Sequence, residues 1–175
     1  MKPKPKRADI VIIGGGLSGI SSAIAASREG TTVALVESLD EWGGSTGEFT
    51  QMPVDSPSTS NEIFFRESGI FEEIISHIRI HNQEGTYAGQ SRALTTLLKS
   101  EPKISTFLGY HCLSATLSPD QDRIETCTAI NLQEGNEVLF RAKYFIDASN
   151  RGHLAKLAGV PGETGVNSIP DTQGH

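Results

Sequence analysis

The chain has 175 residues, 37% of them hydrophobic, and a formal net charge of −6. That balance suits one globular domain with its own core and excludes a disordered chain. The acid excess excludes non-specific nucleic-acid binding, which needs clustered basic charge, and two cysteines without a CxxC exclude a disulfide framework.

Residues 1–7 are basic and Pro-rich and are expected to form a flexible tail. The apolar run behind them, Ile10 to Ile13, is too short for a signal peptide. Residues 8–13, Ala-Asp-Ile-Val-Ile-Ile, are apolar on both faces, as a central parallel strand is. Glycines 14–16 break the run. Leu17, Ile20, Ala23, Ile24 and Ser27 then recur at helical spacing, and Gly30 fits the position just past the helix end. Thr32 to Glu37 form a second strand, so the first 37 residues read as one βαβ unit. Residues 38–60 form a long loop rich in Gly, Ser, Thr, Pro and Asp. Helical character returns from Asn61, with Gly69 dividing two helices and Ile70, Phe71, Ile74, Ile75 and Ile78 on one stripe. Residues 89–100 form another helix. Ile104 to Leu108 is a third parallel strand, and 111–118, 124–132 and 137–141 form an antiparallel meander. Tyr144 to Ala148 is a further buried strand, followed by a helix from Gly152 to Leu157 that stops at Gly159.

Gly14-Gly15-Gly16-Leu17-Ser18-Gly19 matches GxGxxG. The pattern alone is weak. Here it follows a strand, opens a helix and precedes an acid, Glu37, at the end of the next strand. Gly14 permits the tight turn, Gly16 lets backbone approach a pyrophosphate, and Gly19 allows close helix–strand packing. Uncapped N–H groups and the helix dipole then face the phosphates. Glu37 accepts from both hydroxyls of an adenosine ribose and repels a 2′-phosphate. Ser38 stands beside it, and Gly43-Gly44 follows soon after. Bare backbone there suits a diphosphate, and the hydroxyls of Ser45 and Thr46 suit donation to it. The βαβ unit by itself serves FAD and NAD equally.

Four stretches resemble one family: Asp9 to Glu37, the Gly43-Gly44 loop, Phe65 to Glu73, and Phe145 to Ser149 onward through Gly159-Val160-Pro161. The chain resembles the FAD-dependent oxidoreductases of the glutathione-reductase-like class. The resemblance implies a Rossmann-like α/β domain over 8–165, a parallel sheet with helices on both sides and a three-stranded meander. It implies FAD as cofactor and a redox reaction on a small organic substrate, with the flavin supplying the chemistry. It places the Cys112 backbone at the adenine. It likens Ile146-Asp147-Ala148-Ser149 to the family's Asp-Ala-Thr-Gly motif, which brings Ala148 and Ser149 to the cofactor. Asn150 and Arg151 depart from that motif, where Gly and Asp are usual. The family also carries a substrate domain and a late Gly-Asp segment. On this reading the domain is incomplete and a second chain is a candidate to complete the flavin pocket. The rival readings are an NAD-binding dehydrogenase half and a remnant without cofactor.

No catalytic acid or base stands out. His77 and His81 stand at i, i+4, but no third metal ligand is evident, so no metal is expected. His153 is expected in solvent at a helix start, and Arg66 in a surface pair with Glu62 or Glu73. Residues 166–175 are expected to be disordered. Nucleic acid and membrane are not expected partners, and the reduced thiols point to the cytoplasm.

Overall fold

The computed structural model describes residues 5–54 and 68–162. Eight strands and four helices follow in chain order. They are β1 (Lys6–Arg7), β2 (Ile10–Ile13), α1 (Leu17–Arg28), β3 (Val33–Glu37), α2 (Ile70–His81), α3 (Tyr87–Ser100), β4 (Ile104–Leu108), β5 (Tyr110–Leu117), β6 (Ile124–Asn131), β7 (Glu137–Arg141), β8 (Tyr144–Asp147) and α4 (His153–Leu157).

The central sheet is parallel, in the order β4-β3-β2-β8. Side chains of β2 and β3 alternate between its two faces, as strand geometry requires. Ile12, Val33 and Leu35 join Ile20, Ile24, Ile74 and Leu94 beneath α1, α2 and α3. Val11, Ile13, Ala34 and Val36 face the other way, onto Cys112, Cys127, Phe140 and Leu154 of the meander and α4. Each large aliphatic side chain buried this way contributes about 1.5–3 kcal/mol. Both faces carry helix, but among the described residues one has three helices and the other only the five-residue α4 beneath the meander.

The meander β5-β6-β7 is antiparallel, and β1 extends it by pairing parallel with β7. This corrects the expected tail at its end: Lys6 and Arg7 are paired with Phe140 and Arg141. A two-residue strand has no periodicity to read, and tertiary pairing alone creates it. The chain then crosses into the central sheet at Asp9. Its carboxylate accepts from the Thr32 N–H at 3.0 Å, the Thr32 hydroxyl at 2.7 Å and Lys143 Nζ at 2.9 Å. On the helical side, Arg28 of α1 bridges Glu73 at 2.6 Å and Glu101 at 2.8 Å.

Gly30 takes φ +92° just past Glu29, the C-cap of α1, and Gly69 takes φ +69° directly before α2. The helix expected from Asn61, Arg66 with Glu62, and the tail 166–175 lie outside the described residues; Glu73, the other expected partner of Arg66, pairs with Arg28.

Candidate cofactor site

β2, β3 and β8 run in register, so Ile13, Val36 and Asp147 end together at one rim of the sheet. A cleft of about 430 Å³ opens there. That size falls in the range of small-molecule sites. Gly14, Gly16, Leu17, Ser18, Glu37, Ser38, Gly44, Ser45, Thr46, Cys112, Ala148 and Ser149 line it. Gly19 and Gly43 stand behind the lining and hold it in shape. A Cβ on Gly19 would lie 1.9 Å from the Gly14 carbonyl oxygen. Gly43 takes φ +118° and donates its N–H to the Gly15 carbonyl at 2.9 Å.

The glycine corner is built from both sides. Gly14 takes φ +115°, and a Cβ there would lie 2.4 Å from the Ala148 carbonyl oxygen. Trp42 is 2% exposed. A Cβ on Gly15 would lie 2.6 Å from its ring. Gly16 differs from all of these. Its backbone angles, φ −71° and ψ 177°, suit any residue. A Cβ on it would meet nothing nearer than Gly44 Cα at 3.8 Å. Neither conformation nor packing calls for a glycine at this position; the open cleft beside it does. The helix behind it, α1, has no side-chain cap. Among the described residues, the N–H groups of Gly16 and Ser18 donate no hydrogen bond. Bare amides at the positive end of a helix beside a Cβ-sized space fit a diphosphate.

Glu37 lies at the floor of the cleft, 6% exposed. Its Oε2 accepts from the Gly15 N–H at 2.5 Å, and its Oε1 from the Ser38 hydroxyl at 3.0 Å and the Leu39 N–H at 2.8 Å. An ionised carboxylate offers about four acceptor positions, so one remains on Oε2. The clamp fixes the carboxylate where a sugar edge would reach it. It also gives Glu37 a structural duty, holding the glycine loop, that its position in the motif did not reveal.

Thr46 lines the cleft, but its hydroxyl donates to the Gly43 carbonyl at 3.0 Å and accepts from Gln90 at 2.8 Å. Its expected donation to a phosphate is thereby corrected: it braces the Gly-Gly turn. Ser45 lines the cleft with no such internal bond among the described residues. Asp147 organises the opposite wall. Its Oδ1 accepts from the Ser149 N–H and hydroxyl at 3.0 and 2.6 Å, and its Oδ2 from the Ala155 N–H at 2.8 Å.

His153 is not in solvent. Its ring lines the cleft, and its Nε2 bonds the Cys112 carbonyl at 2.8 Å. A carbonyl only accepts, so Nε2 carries a proton. The Cys112 carbonyl is therefore occupied by protein. The His111 ring sits 4.8 Å from that of His153. Tyr110, His111 and Thr50 also line the cleft and were not singled out from sequence. Tyr110 and His111 open a strand whose alternation marks faces but not which strand end meets the cleft. Asn150 and Arg151, the departures from the family motif, are exposed at its edge.

The two thiols are free and buried. The Cys112 sulfur beside Cys127 pushes the Cys127 thiol well above its ordinary range, and burial adds to this. His77 gives its Nε2 to the Thr96 hydroxyl at 2.9 Å, and burial lowers its pKa. Among the described residues no cluster of three metal-ligating side chains occurs, and no helix is long and apolar enough to cross a membrane.

The parallel sheet, the glycine corner and the clamped acid define a Rossmann-like dinucleotide-binding domain. The model of the FAD dependent oxidoreductase family matches residues 9–174, and the chain belongs to that family. Its cofactor is FAD. No curated protein matches the chain. Among solved structures it is similar to the myxobacterial chondrochloren halogenase CndH, an FAD-dependent halogenase, at 17% identity and TM-score 0.59, covering 87% of this chain and 40% of that one. It is similar to the flavin-dependent monooxygenase PieE at 17% identity and TM-score 0.55, covering 88% and 32%. It is similar to adenylylsulfate reductase from Archaeoglobus fulgidus at 16% identity and TM-score 0.54, covering 83% and 30%. At these identities the likeness is one of fold. The chain spans less than half the length of each.

Proposed function

We propose that the cleft seats the ADP half of FAD and that the domain serves a redox reaction on a small organic substrate. The observation that carries this reading is Gly16, a glycine that only an occupant of the cleft explains. The amides of Gly16 and Ser18 bind the diphosphate, with Gly44 and Ser45 on its other side. The remaining acceptor position of Glu37 binds the ribose. Tyr110 to Cys112, with His153 behind them, bound the adenine end, and Ala148 and Ser149 lie along the turn toward the flavin. When bound, the group supplies reversible electron transfer at its flavin ring. The chain's own residues hold, orient and shield it. A second chain completing the flavin pocket belongs to this reading. So does a cytoplasmic setting, which the free thiols support.

Equilibrium dialysis with FAD, ADP and NAD tests the reading. FAD and ADP should both bind, and FAD should colour the protein in the visible. Binding of NAD in preference to FAD would favour a dehydrogenase half. Binding of none of the three would leave a remnant.

A further inference from the structure

A second concavity lies at the other rim of the sheet. It is an open groove of about 710 Å³ at the amino ends of β2, β3 and β8, lined by Arg7, Arg123, Arg141 and Lys143, with Asp9 and Glu125. It shares no lining residue with the cofactor cleft. Four cations converge there, from β1, the entry to β6, the end of β7 and the β7–β8 turn, on a chain whose net charge is −6.

One of the four cations is matched within the groove, Lys143 with Asp9 at 2.9 Å. Asp9 is already occupied by Thr32 and Lys143. Among the described residues, Arg7, Arg123 and Arg141 enter no ion pair. Arg7 and Arg141 are direct partners on adjacent strands, so their side chains project to the same side. Like charges placed directly opposite repel. An anion between the two guanidinium groups would turn that repulsion into two attractions. Planar guanidinium forks match phosphate oxygens bidentately, which a lysine cluster would not do. Tyr144, 69% exposed, stands at the same groove and gives it an aromatic wall.

We propose that this groove binds a soluble small molecule through a phosphate or diphosphate group held between Arg7 and Arg141, with Arg123 as a third donor. The site is independent of the cofactor cleft.

Inorganic pyrophosphate titrated into the ¹⁵N-labelled chain at constant ionic strength tests this. Saturable amide shifts are expected at Arg7 to Asp9, Ile124 to Glu125 and Arg141 to Tyr144. Arg141→Gln should weaken that saturation about tenfold, as loss of a charged hydrogen bond does. Arg7→Gln is the second variant, and the amide spectrum reports whether each folds. Three results of the titration would overturn the proposal. They are shifts confined to the glycine corner, shifts that sodium chloride reproduces, and an affinity that neither variant changes. Tighter binding of an acidic peptide than of pyrophosphate would also overturn it in favour of a protein partner.

Discussion

β2 and β8 are parallel neighbours, and each passes through a tight turn into a helix at the same rim of the sheet. The two corners satisfy their backbone differently. At the β8–α4 corner, side chains do the work: Asp147 and Ser149 take the N–H groups of Ser149, His153 and Ala155. At the β2–α1 corner the turn is all glycine, and the twelve-residue α1 begins uncapped. One corner is closed on itself and the other is left open. The lesson is that a strand–turn–helix corner left uncapped by its own side chains keeps bare amides facing the cleft, which is what the proposed diphosphate site requires. The longer helix then presents its positive end to the cleft.

Gly14→Ala or Gly19→Ala should do the most harm, because protein atoms occupy the space at both positions. Each should lower unfolding stability by about 3 kcal/mol in urea titrations, from overpacking and, at Gly14, from a left-handed backbone. Little change would mean that the open corner is not tightly built. Next, Glu37→Gln should weaken ADP binding by about 1–3 kcal/mol in equilibrium dialysis, since a charged acceptor is lost. An unchanged affinity would remove the ribose role and leave only the clamp on Gly15. Asp147→Ala should loosen the closed corner and cost about 1–2 kcal/mol in thermal unfolding, as loss of a helix cap does. If it cost nothing, the contrast between the corners would fail.

The smallest effect concerns Asp9, far from either corner. Bonds from Thr32 and Lys143 hold its carboxyl well below its ordinary value of 3.8. A depressed folded pKa contributes stability that is present above the ordinary value and lost as pH falls through the depressed one. Asp9→Asn should therefore flatten the acid limb of the stability–pH curve below about pH 4. An unchanged limb would mean that the crossing from β1 to β2 is held by backbone pairing alone.

Much of this contrast was legible in the sequence. The βαβ unit, the stripe of α2, the meander and the turn glycines Gly30 and Gly69 all follow from periodicity and backbone preference. The open corner was legible because glycines at fixed offsets have few other uses. The closed corner was less so. Asp147 and Ser149 are polar residues whose partners, two to eight positions along, depend on the turn made between them. The placement of His153 against Cys112 joins residues 41 apart and has no local signal. The pairing of Lys6 and Arg7 with β7 is of the same kind. Gln90 bracing Thr46 across 44 residues shows why a hydroxyl read as a ligand donor serves as a strut.

Gly16→Val separates architecture from binding most directly. At Gly16 an added Cβ meets nothing nearer than Gly44 Cα at 3.8 Å, an ordinary contact, so the thermal transition should stay within about 1 kcal/mol of wild type, the scale of a helix-start substitution. Dialysis against ADP should then show affinity reduced about tenfold or more, because the side chain stands where the diphosphate would lie. A folded Gly16→Val chain that binds ADP as tightly as wild type would contradict the account.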